Sequence, residues 1–435
     1  MNDYNKTYRR NITRRGVIWL GQTCNLNCHF CYFLDRIKTQ SHPEHPFMSL
    51  EKAKKICRTL VDVYHNNSID IQGGEPTIYK DILELVRYCR EIGLLPTLIT
   101  NALVLSNMDV CVKLKEAGLR DLLVSVHGLG ATFDTIVGVK GAHEKQMKAL
   151  DNLIEVGIPF RFNCVLSKMA LPQLADIARL AVVKGARVVN FIAFNPFEDQ
   201  SKAGMRSNDN VPRYSEVAAP LTEALDILET SGVEVNVRYF PFCMVEERHR
   251  KSVYNFQQLP YDVHEWDYAS WSWTGMRQQR IRDCDISPSL TLAEATYQPD
   301  IYPGVIQNFA VWIHHRLQKH SRLLSIAESI NKKIGELRRK VGPFSEQQGQ
   351  KDPAESHYRE NARLRAKIHC RYLYADVCHN CSVQSICDGF HGDYAELFGA
   401  GEANSIILPT SVSDPKFFIK HQLKVVEADD YDWAL

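Results

Sequence analysis

Residues 16–35 read GVIWLGQTCNLNCHFCYFLD. The apolar run GVIWL (16–20) is typical of a short buried strand, and a loop with three cysteines follows it directly. Cys24, Cys28 and Cys31 have the spacing C-x3-C-x2-C. Three closely spaced thiolates can hold three irons of a cubane [4Fe–4S] cluster, which leaves the remaining iron open to a small molecule.

Zinc and chance spacing are the alternatives for this loop. A structural zinc ion usually takes four protein ligands. The loop offers His29 as a fourth, but His29 adjoins Cys28 in the chain and is awkwardly placed to bind the same ion. The spacing therefore favours an iron–sulfur cluster.

Strand and helix alternate from this stretch to about residue 240. Glycines follow several of the predicted helices, as expected of helix ends. The strands are rich in Val, Ile, Leu and Phe, which is typical of parallel strands covered on both faces. Six consecutive βα units predict a parallel α/β barrel or open sheet, whose carboxyl strand ends carry the chemistry. The predicted strands are 16–20, 68–72, 95–100, 121–126, 159–166 and 187–194, the helices are 49–65, 79–92, 107–117, 142–156 and 172–184, and a seventh unit has helix 214–230 and strand 233–240.

Composition excludes several classes of protein. The 435 residues carry a formal charge of only +1, so we expect no general nucleic-acid binding. No apolar run approaches the roughly 20 residues that span a bilayer, so we expect no membrane span. The amino terminus has no apolar signal segment. Thirteen cysteines at ligand-like spacings fit metal binding better than disulfides, and we expect a cytoplasmic protein.

A second motif, QGGEPTIY (72–79), directly follows the second predicted strand. Two consecutive glycines, Gly73 and Gly74, let a ligand approach the backbone closely. Glu75 and Pro76 predict a rigid turn with exposed backbone polar groups. A Gly-Gly turn alone is most often an ordinary βα connection. This one is more informative, because it lies one strand from the three-cysteine loop, at the same predicted edge.

The two motifs together resemble the radical S-adenosylmethionine (radical SAM) superfamily, over roughly residues 16–240. The resemblance implies a partial (β/α)6 TIM-like barrel, a [4Fe–4S] cluster on the three cysteines, and S-adenosylmethionine (SAM) bound at the open iron. One departure is SVHG after the fourth strand, where His127 replaces the acid of the family's S-x-D-G. The residues that the resemblance assigns to cofactor binding are Phe30, Gly73, Gly74, Glu75, Pro76, Asn101, Ser125 and Asn163.

A third cysteine group lies near the carboxyl end, in CHNCSVQSICDGFHGDY (378–394). Its spacing is C-x2-C-x5-C, followed by a histidine at x3. The pattern resembles the SPASM/twitch auxiliary domains of many radical SAM enzymes, in which C-x2-C-x5-C-x3-C helps to hold auxiliary [4Fe–4S] clusters. His391 stands where that pattern has its last cysteine.

The resemblance implies one auxiliary [4Fe–4S] cluster, with an upstream ligand just after the seventh strand. The alternative is a zinc site that uses the histidine. The cluster set is Cys243, Cys378, Cys381 and Cys387, the zinc set is Cys378, Cys381, Cys387 and His391, and the roles of Cys284 and Cys370 stay open.

Three regions follow from these patterns. Residues 1–15 are an amino-terminal extension, 16–240 the barrel, and 241–435 a cysteine-containing auxiliary domain. Within the last region, residues 305–340 predict a basic amphipathic helical insertion, and the polar residues 343–361 predict a loop.

The resemblance implies reductive cleavage of SAM to methionine and a 5′-deoxyadenosyl radical, which removes hydrogen from a substrate. Only about fifteen residues precede the first strand, which favours a small-molecule substrate of a natural-product pathway over a peptide. A maturase that modifies a ribosomal peptide or protein side chain is the alternative. The electron donor would be a flavodoxin or ferredoxin. A non-catalytic iron–sulfur or zinc scaffold is the alternative from another class.

Overall fold

The computed structural model describes residues 5–31, 45–62, 65–194, 206–264 and 370–435, together with positions 34, 38, 40, 271, 272, 366 and 367. Cys284 and the predicted segments 305–340 and 343–361 lie outside the described residues. Within the described part of the chain, no helix has the length and apolar composition needed to cross a membrane.

A parallel sheet forms the frame of the molecule. Strands β2 to β8 follow one another across the sheet in chain order. Strand β9 pairs with β8 at one edge, and strand β10 pairs with β2 at the other. All of these strand pairs are parallel. The predicted partial barrel is confirmed. The strands are β2 (Arg15–Trp19), β3 (Ser68–Gln72), β4 (Leu95–Thr100), β5 (Asp121–Ser125), β6 (Phe160–Leu166), β7 (Val188–Ala193), β8 (Glu234–Arg238), β9 (Val253–Tyr254) and β10 (Trp271–Ser272).

Helices connect the strands of this sheet. They are α1 (Leu50–Asp62), α2 (Ile82–Glu91), α3 (Met108–Glu116), α4 (Gly130–Val137), α5 (Ala142–Val156), α6 (Leu174–Lys184) and α7 (Tyr214–Thr230). The left-handed residues Gly157 and Gly185 end α5 and α6, as the sequence predicted. The sequence analysis missed the eight-residue helix α4.

The inner face of the sheet changes character along the strands. Side chains in a strand alternate between its two faces, so every second residue points into the barrel. Near the carboxyl ends, the inward residues of β3 to β7 are only half-buried, which leaves an accessible space inside the barrel. These residues are Gln72, Ile99, Leu123, Ser125, Asn163, Val165 and Ile192.

Buried ion pairs fill the opposite end of the barrel. Arg15 on β2 donates to Asp70 at 2.8 Å and to Thr97 at 2.9 Å. Arg161 on β6 donates to Asp121 on β5 at 2.9 Å. All five residues are at most 2 % exposed, so this end is packed and holds no room for a substrate.

The carboxyl-terminal segment covers this closed end. Its strand β11 (Lys424–Val426) pairs with β1 (Asn5–Thr7), and the short helices α8 (Gly392–Phe398) and α9 (Tyr431–Ala434) lie before and after it. Lys424 is fully buried and pairs with Glu234 on β8 and with Asp262, the latter at 2.9 Å. The predicted domain boundaries stay a prediction, although chain beyond residue 240 adds to the barrel sheet at β9 and β10.

Replacing Lys424 with Met should lower the free energy of unfolding by about 3–5 kcal/mol, because the buried Glu234 loses its lysine and Asp262 keeps only Arg238 of its two cations. Burial alone would lower the pKa of Lys424, but Asp262 and Glu234 raise it above its usual value, so the side chain is charged when paired. Urea denaturation measures the change. The matched control is Lys113→Met, which breaks an exposed pair with Asp109 and should change little. An equal effect in both variants would contradict the prediction.

Candidate functional site

The cysteine loop is anchored to the end of α4. Asn27 and His29 donate backbone N–H groups to the carbonyls of Val137 and Ile136, at 2.9 and 3.2 Å. The last carbonyls of a helix lack partners within the helix, so the loop satisfies them. The helix that the sequence analysis missed therefore holds the loop that carries Cys24, Cys28 and Cys31.

The Gly-Gly turn packs directly against the same loop. Gly73 and Gly74 have φ of +104° and +51°, the left-handed region that favours glycine. A Cβ on Gly74 would overlap the backbone of Thr23, and one on Gly73 would overlap Gly21. The structure shows that these glycines make room for the cysteine loop, and their contact with a ligand stays a prediction.

Glu75 connects this turn to the cysteine loop and to the next strand. Its backbone N–H donates to Thr23 at 2.9 Å. Its carboxylate accepts from the Thr77 backbone at 3.0 Å, from the Thr77 and Thr100 hydroxyls at 2.6 Å each, and from the Asn101 backbone at 2.7 Å. Burial raises the pKa of Glu75, while these hydrogen bonds favour its charged form. Glu75 thus stabilises its turn through buried hydrogen bonds.

Asn101 connects the end of β4 to the cysteine loop. Its side-chain N–H donates to Asn25 Oδ1 at 2.7 Å and lies 3.9 Å from Cys24 Sγ. Pro76 begins the short 3-10 turn that Glu75 caps. The structure thus brings Asn101, Glu75 and Pro76 together with the first cysteine, at the carboxyl edge of the sheet.

The three thiols suit a metal cluster in their donor chemistry. All three are half-buried, and Leu26 donates its backbone N–H to Cys24 Sγ at 3.4 Å. Burial raises the pKa of Cys24 to about 12, and it raises that of Cys28 together with the neighbouring Cys31 and Cys24. Mutually close thiols of this kind ionise when a metal binds them. Cys24, Cys28 and Cys31 therefore fit a cluster with backbone N–H···S support.

Ser125 and Asn163 form part of the accessible inner wall. They face each other in register on β5 and β6. The Asn163 Oδ1 atom is buried and has no hydrogen-bond partner among the described residues. A buried acceptor without a partner indicates a missing donor. The hydroxyl or amino groups of SAM would supply such a donor, so this wall fits the nucleotide-like ligand that the resemblance implies.

An aromatic group closes the space beside the loop. The Phe30 ring contacts the rings of His127, Phe194 and His29, at centroid distances of 4.7, 6.1 and 5.3 Å. Sequence analysis missed Phe194, whose place after β7 was the available signal. These side chains are mostly buried and exclude water from the neighbourhood of the cysteines.

The carboxyl-terminal cysteines share a second cavity. A cleft of about 320 Å³, a volume that includes open solvent, is lined by Cys243, Cys378, Cys381 and Cys387. Gly389 donates its backbone N–H to Cys387 Sγ and Ile406 donates to Cys381 Sγ, each at 3.4 Å. The remaining lining is mainly apolar, as in Phe242 and Phe390. This cavity repeats the combination of thiols and N–H···S bonds at the first site.

His391 and Cys370 do not line this cavity. His391 Nδ1 accepts the Asp393 backbone N–H at 3.1 Å and so caps α8, and Arg206 lies 3.2 Å from the same nitrogen. Cys370 is fully buried. Within the described part of the chain, no three His, Cys, Asp or Glu side chains are close enough together for a single metal ion.

Comparison with known proteins finds similarity to one protein family. Residues 20–181 match the model of the Radical SAM superfamily. A probable GTP 3′,8-cyclase from Sulfurisphaera tokodaii is 27% identical over 226 residues, which is 51% of this chain and 68% of the relative. A PqqA peptide cyclase from Rhodopseudomonas palustris is 37% identical over 174 residues, 39% of this chain and 44% of the relative.

A solved structure, that of SuiB from Streptococcus suis, is 20% identical with a TM-score of 0.41, covering 58% of this chain and 53% of SuiB. The alignments to the first three curated relatives cover 68%, 43% and 39% of their lengths. The similarity is therefore to parts of those proteins.

Replacing Gly74 with Ala should displace the cysteine loop, because the new Cβ collides with the Thr23 backbone. We expect less iron per chain after anaerobic reconstitution with iron and sulfide. Gly157→Ala is the matched control, since Gly157 also has positive φ but faces open space. The control should lose about 1 kcal/mol of stability from backbone strain and keep its iron. Full iron binding by the Gly74 variant would refute the prediction.

Proposed function

We propose that this chain cleaves SAM reductively and uses the resulting radical to oxidise or epimerise a bound substrate, or to form a bond in it. The chain is an enzyme of the radical SAM superfamily, with its radical SAM domain at residues 20–181. The cofactors of that superfamily are a [4Fe–4S] cluster and SAM. The observation that carries the proposal is the position of the three thiols, at the carboxyl edge of the barrel and beside an accessible inner space.

In this proposal Cys24, Cys28 and Cys31 hold the cluster. When bound, the cluster supplies the electron that converts SAM to methionine and a 5′-deoxyadenosyl radical. The anchoring on α4 and the Gly73-Gly74 contact hold the loop through contacts that the chain itself makes.

The inner wall orients the nucleoside end of SAM. Asn163 Oδ1 accepts a hydrogen bond from it, and Ser125 lies beside Asn163 in register. The rings of Phe30 and Phe194 keep water from this region, which protects a radical from side reactions. Substrate occupies the space between these walls, lined by Leu123, Val165 and Ile192 among others.

The second cavity is proposed to hold an auxiliary [4Fe–4S] cluster on Cys243, Cys378, Cys381 and Cys387. The support is that all four line one cavity and that two of them receive backbone N–H bonds. A zinc site on Cys378, Cys381, Cys387 and His391 is less favoured. His391 does not line the cavity and uses its Nδ1 to cap α8, whereas Cys243 does line the cavity. An auxiliary cluster would accept an electron in a net oxidation.

The proposed substrate is a small molecule of a natural-product pathway. Peptide maturation is the second candidate, because the relative with 37% identity is named a PqqA peptide cyclase. The proposed partner is a flavodoxin or ferredoxin as electron donor. The proposed location is the cytoplasm, since the described cysteines are free thiols, which a reducing compartment maintains.

Replacing Cys24, Cys28 and Cys31 with Ala should abolish production of 5′-deoxyadenosine from SAM and dithionite, because no cluster can form there. Liquid chromatography of anaerobically reconstituted protein measures the product. Cys164→Ala is the control, since Cys164 is fully buried on β6, belongs to neither cysteine group and should leave the product unchanged. Wild-type protein that makes no 5′-deoxyadenosine would overturn the proposed function.

Iron and zinc analysis tests the second site. With two clusters, the reconstituted chain should contain about eight irons, and replacing Cys378, Cys381 and Cys387 with Ala should leave about four. The triple replacement of the amino-terminal cysteines should also leave about four, held by the other site. A chain with about four irons and one zinc would contradict the auxiliary cluster and restore the zinc alternative.

A further inference from the structure

Arg206 contacts the barrel on the side of the first cysteine group. Its Nη2 donates to the backbone carbonyl of Phe194, directly after β7. Its guanidinium also lies over the Phe194 ring, with 5.7 Å between the guanidinium carbon and the ring centroid. The Phe194 ring contacts Phe30 at a centroid distance of 6.1 Å, and Phe30 directly precedes Cys31 in the loop. One aromatic contact therefore separates Arg206 from the cysteine loop.

The same guanidinium contacts the segment that carries the second cysteine group. Nη1 of Arg206 donates to His391 Nδ1 at 3.2 Å. That nitrogen also accepts the backbone N–H of Asp393, so it carries no proton and the ring is neutral. His391 directly follows Phe390, which lines the second cavity together with Cys387. One cation thus lies between the two regions that hold the cysteines.

The charge of Arg206 is only partly compensated. In the described part of the chain, its carboxylate partner is Asp393 at 3.5 Å, and both side chains are at most 1 % exposed. The other carboxylate oxygen of Asp393 pairs with Arg371, so two cations share one buried anion. Burial lowers the pKa of Arg206 although Asp393 opposes this, but a guanidinium stays charged in proteins. Arg206 therefore supplies positive charge that little water screens.

We propose that Arg206 raises the reduction potentials of the clusters held by both cysteine groups. This inference rests on the proposed function, which places a [4Fe–4S] cluster on each group. Reduction adds one electron, and therefore one negative charge, to a cluster, so a nearby buried cation favours the reduced form. Net charge and solvent exposure are among the factors that set cluster potentials. Arg206 thus favours reduction of the first cluster by the external donor and of the second by an electron from the substrate.

Three substitutions separate the charge of Arg206 from its contacts. Arg206→Gln removes the charge and keeps an N–H donor for the Phe194 carbonyl. Arg206→Lys keeps the charge and loses the planar guanidinium. Asp393→Asn removes the neighbouring negative charge, so its effect should have the opposite sign. Arg371→Gln is the matched control, because Arg371 pairs with the same carboxylate but its side chain is 42 % exposed, where solvent screens its charge.

The experiment measures the reduction potential of each cluster by anaerobic redox titration of the reconstituted full chain, followed by electron paramagnetic resonance. Iron content and melting temperature are measured in parallel. The two triple cysteine variants assign the signals, because each keeps one cluster. At a fixed applied potential, Arg206→Gln should lower the ratio of reduced to oxidised cluster about tenfold at both sites, which is about 59 mV for one electron. Asp393→Asn should raise this ratio, and Arg206→Lys and Arg371→Gln should stay within about threefold of wild type.

Unchanged potentials in Arg206→Gln with wild-type iron content would overturn the inference, and so would a shift at one site only. Shifts of the same sign in Arg206→Gln and Asp393→Asn would also overturn it, because altered packing and not charge would then be the cause. An equal fall in Arg206→Lys leads to the same conclusion. If Arg206→Gln binds no iron, the sign of the Asp393→Asn shift decides the inference. Wild-type protein without two cluster signals would instead overturn the proposed function.

Discussion

The close contact between the Gly73-Gly74 turn and the backbone of the cysteine loop is the constraint on which the site depends. It brings the end of β3 against the segment that follows β2, with no side chain between them. Glu75 then fixes this contact from within, through its N–H bond to Thr23 and its carboxylate bonds to the end of β4. Three consecutive strand ends are thereby joined, so backbone packing holds the thiols at one edge.

The two ends of the barrel interior carry different polar groups. At the amino ends of the strands, Arg15 pairs with Asp70 and Arg161 pairs with Asp121, all in full burial. At the carboxyl ends, the buried Asn163 Oδ1 acceptor has no hydrogen-bond partner in the described part of the chain. A buried acceptor without a partner costs free energy, which a hydrogen bond from a bound ligand would offset. The packed end therefore contributes to stability, and the accessible end fits the binding proposed above.

The two cysteine sites share one local feature, a backbone N–H···S hydrogen bond. At each of them, the backbone N–H of a residue two positions or more away in the chain donates to a cysteine sulfur, as Leu26 does to Cys24 and Gly389 to Cys387. Such bonds favour thiolates and tune the potentials of iron–sulfur clusters. The two cysteine sites differ in their surroundings. The first site opens to the barrel interior, and the second lies in a largely apolar cleft. This difference fits one site that binds a small molecule and one that exchanges electrons only.

Much of the fold could be predicted from the sequence, because strand and helix periodicity, helix-ending glycines and cysteine spacing are local properties of the chain. The strands of the barrel and the carboxyl edge that carries the cysteines followed from such patterns. Local patterns could not show that α4 anchors the loop, that Gly73 and Gly74 make room for the backbone of that loop, or that Cys243 and not His391 lines the second cavity. Each of these depends on a contact between segments far apart in sequence, and only the tertiary structure determines which groups meet there.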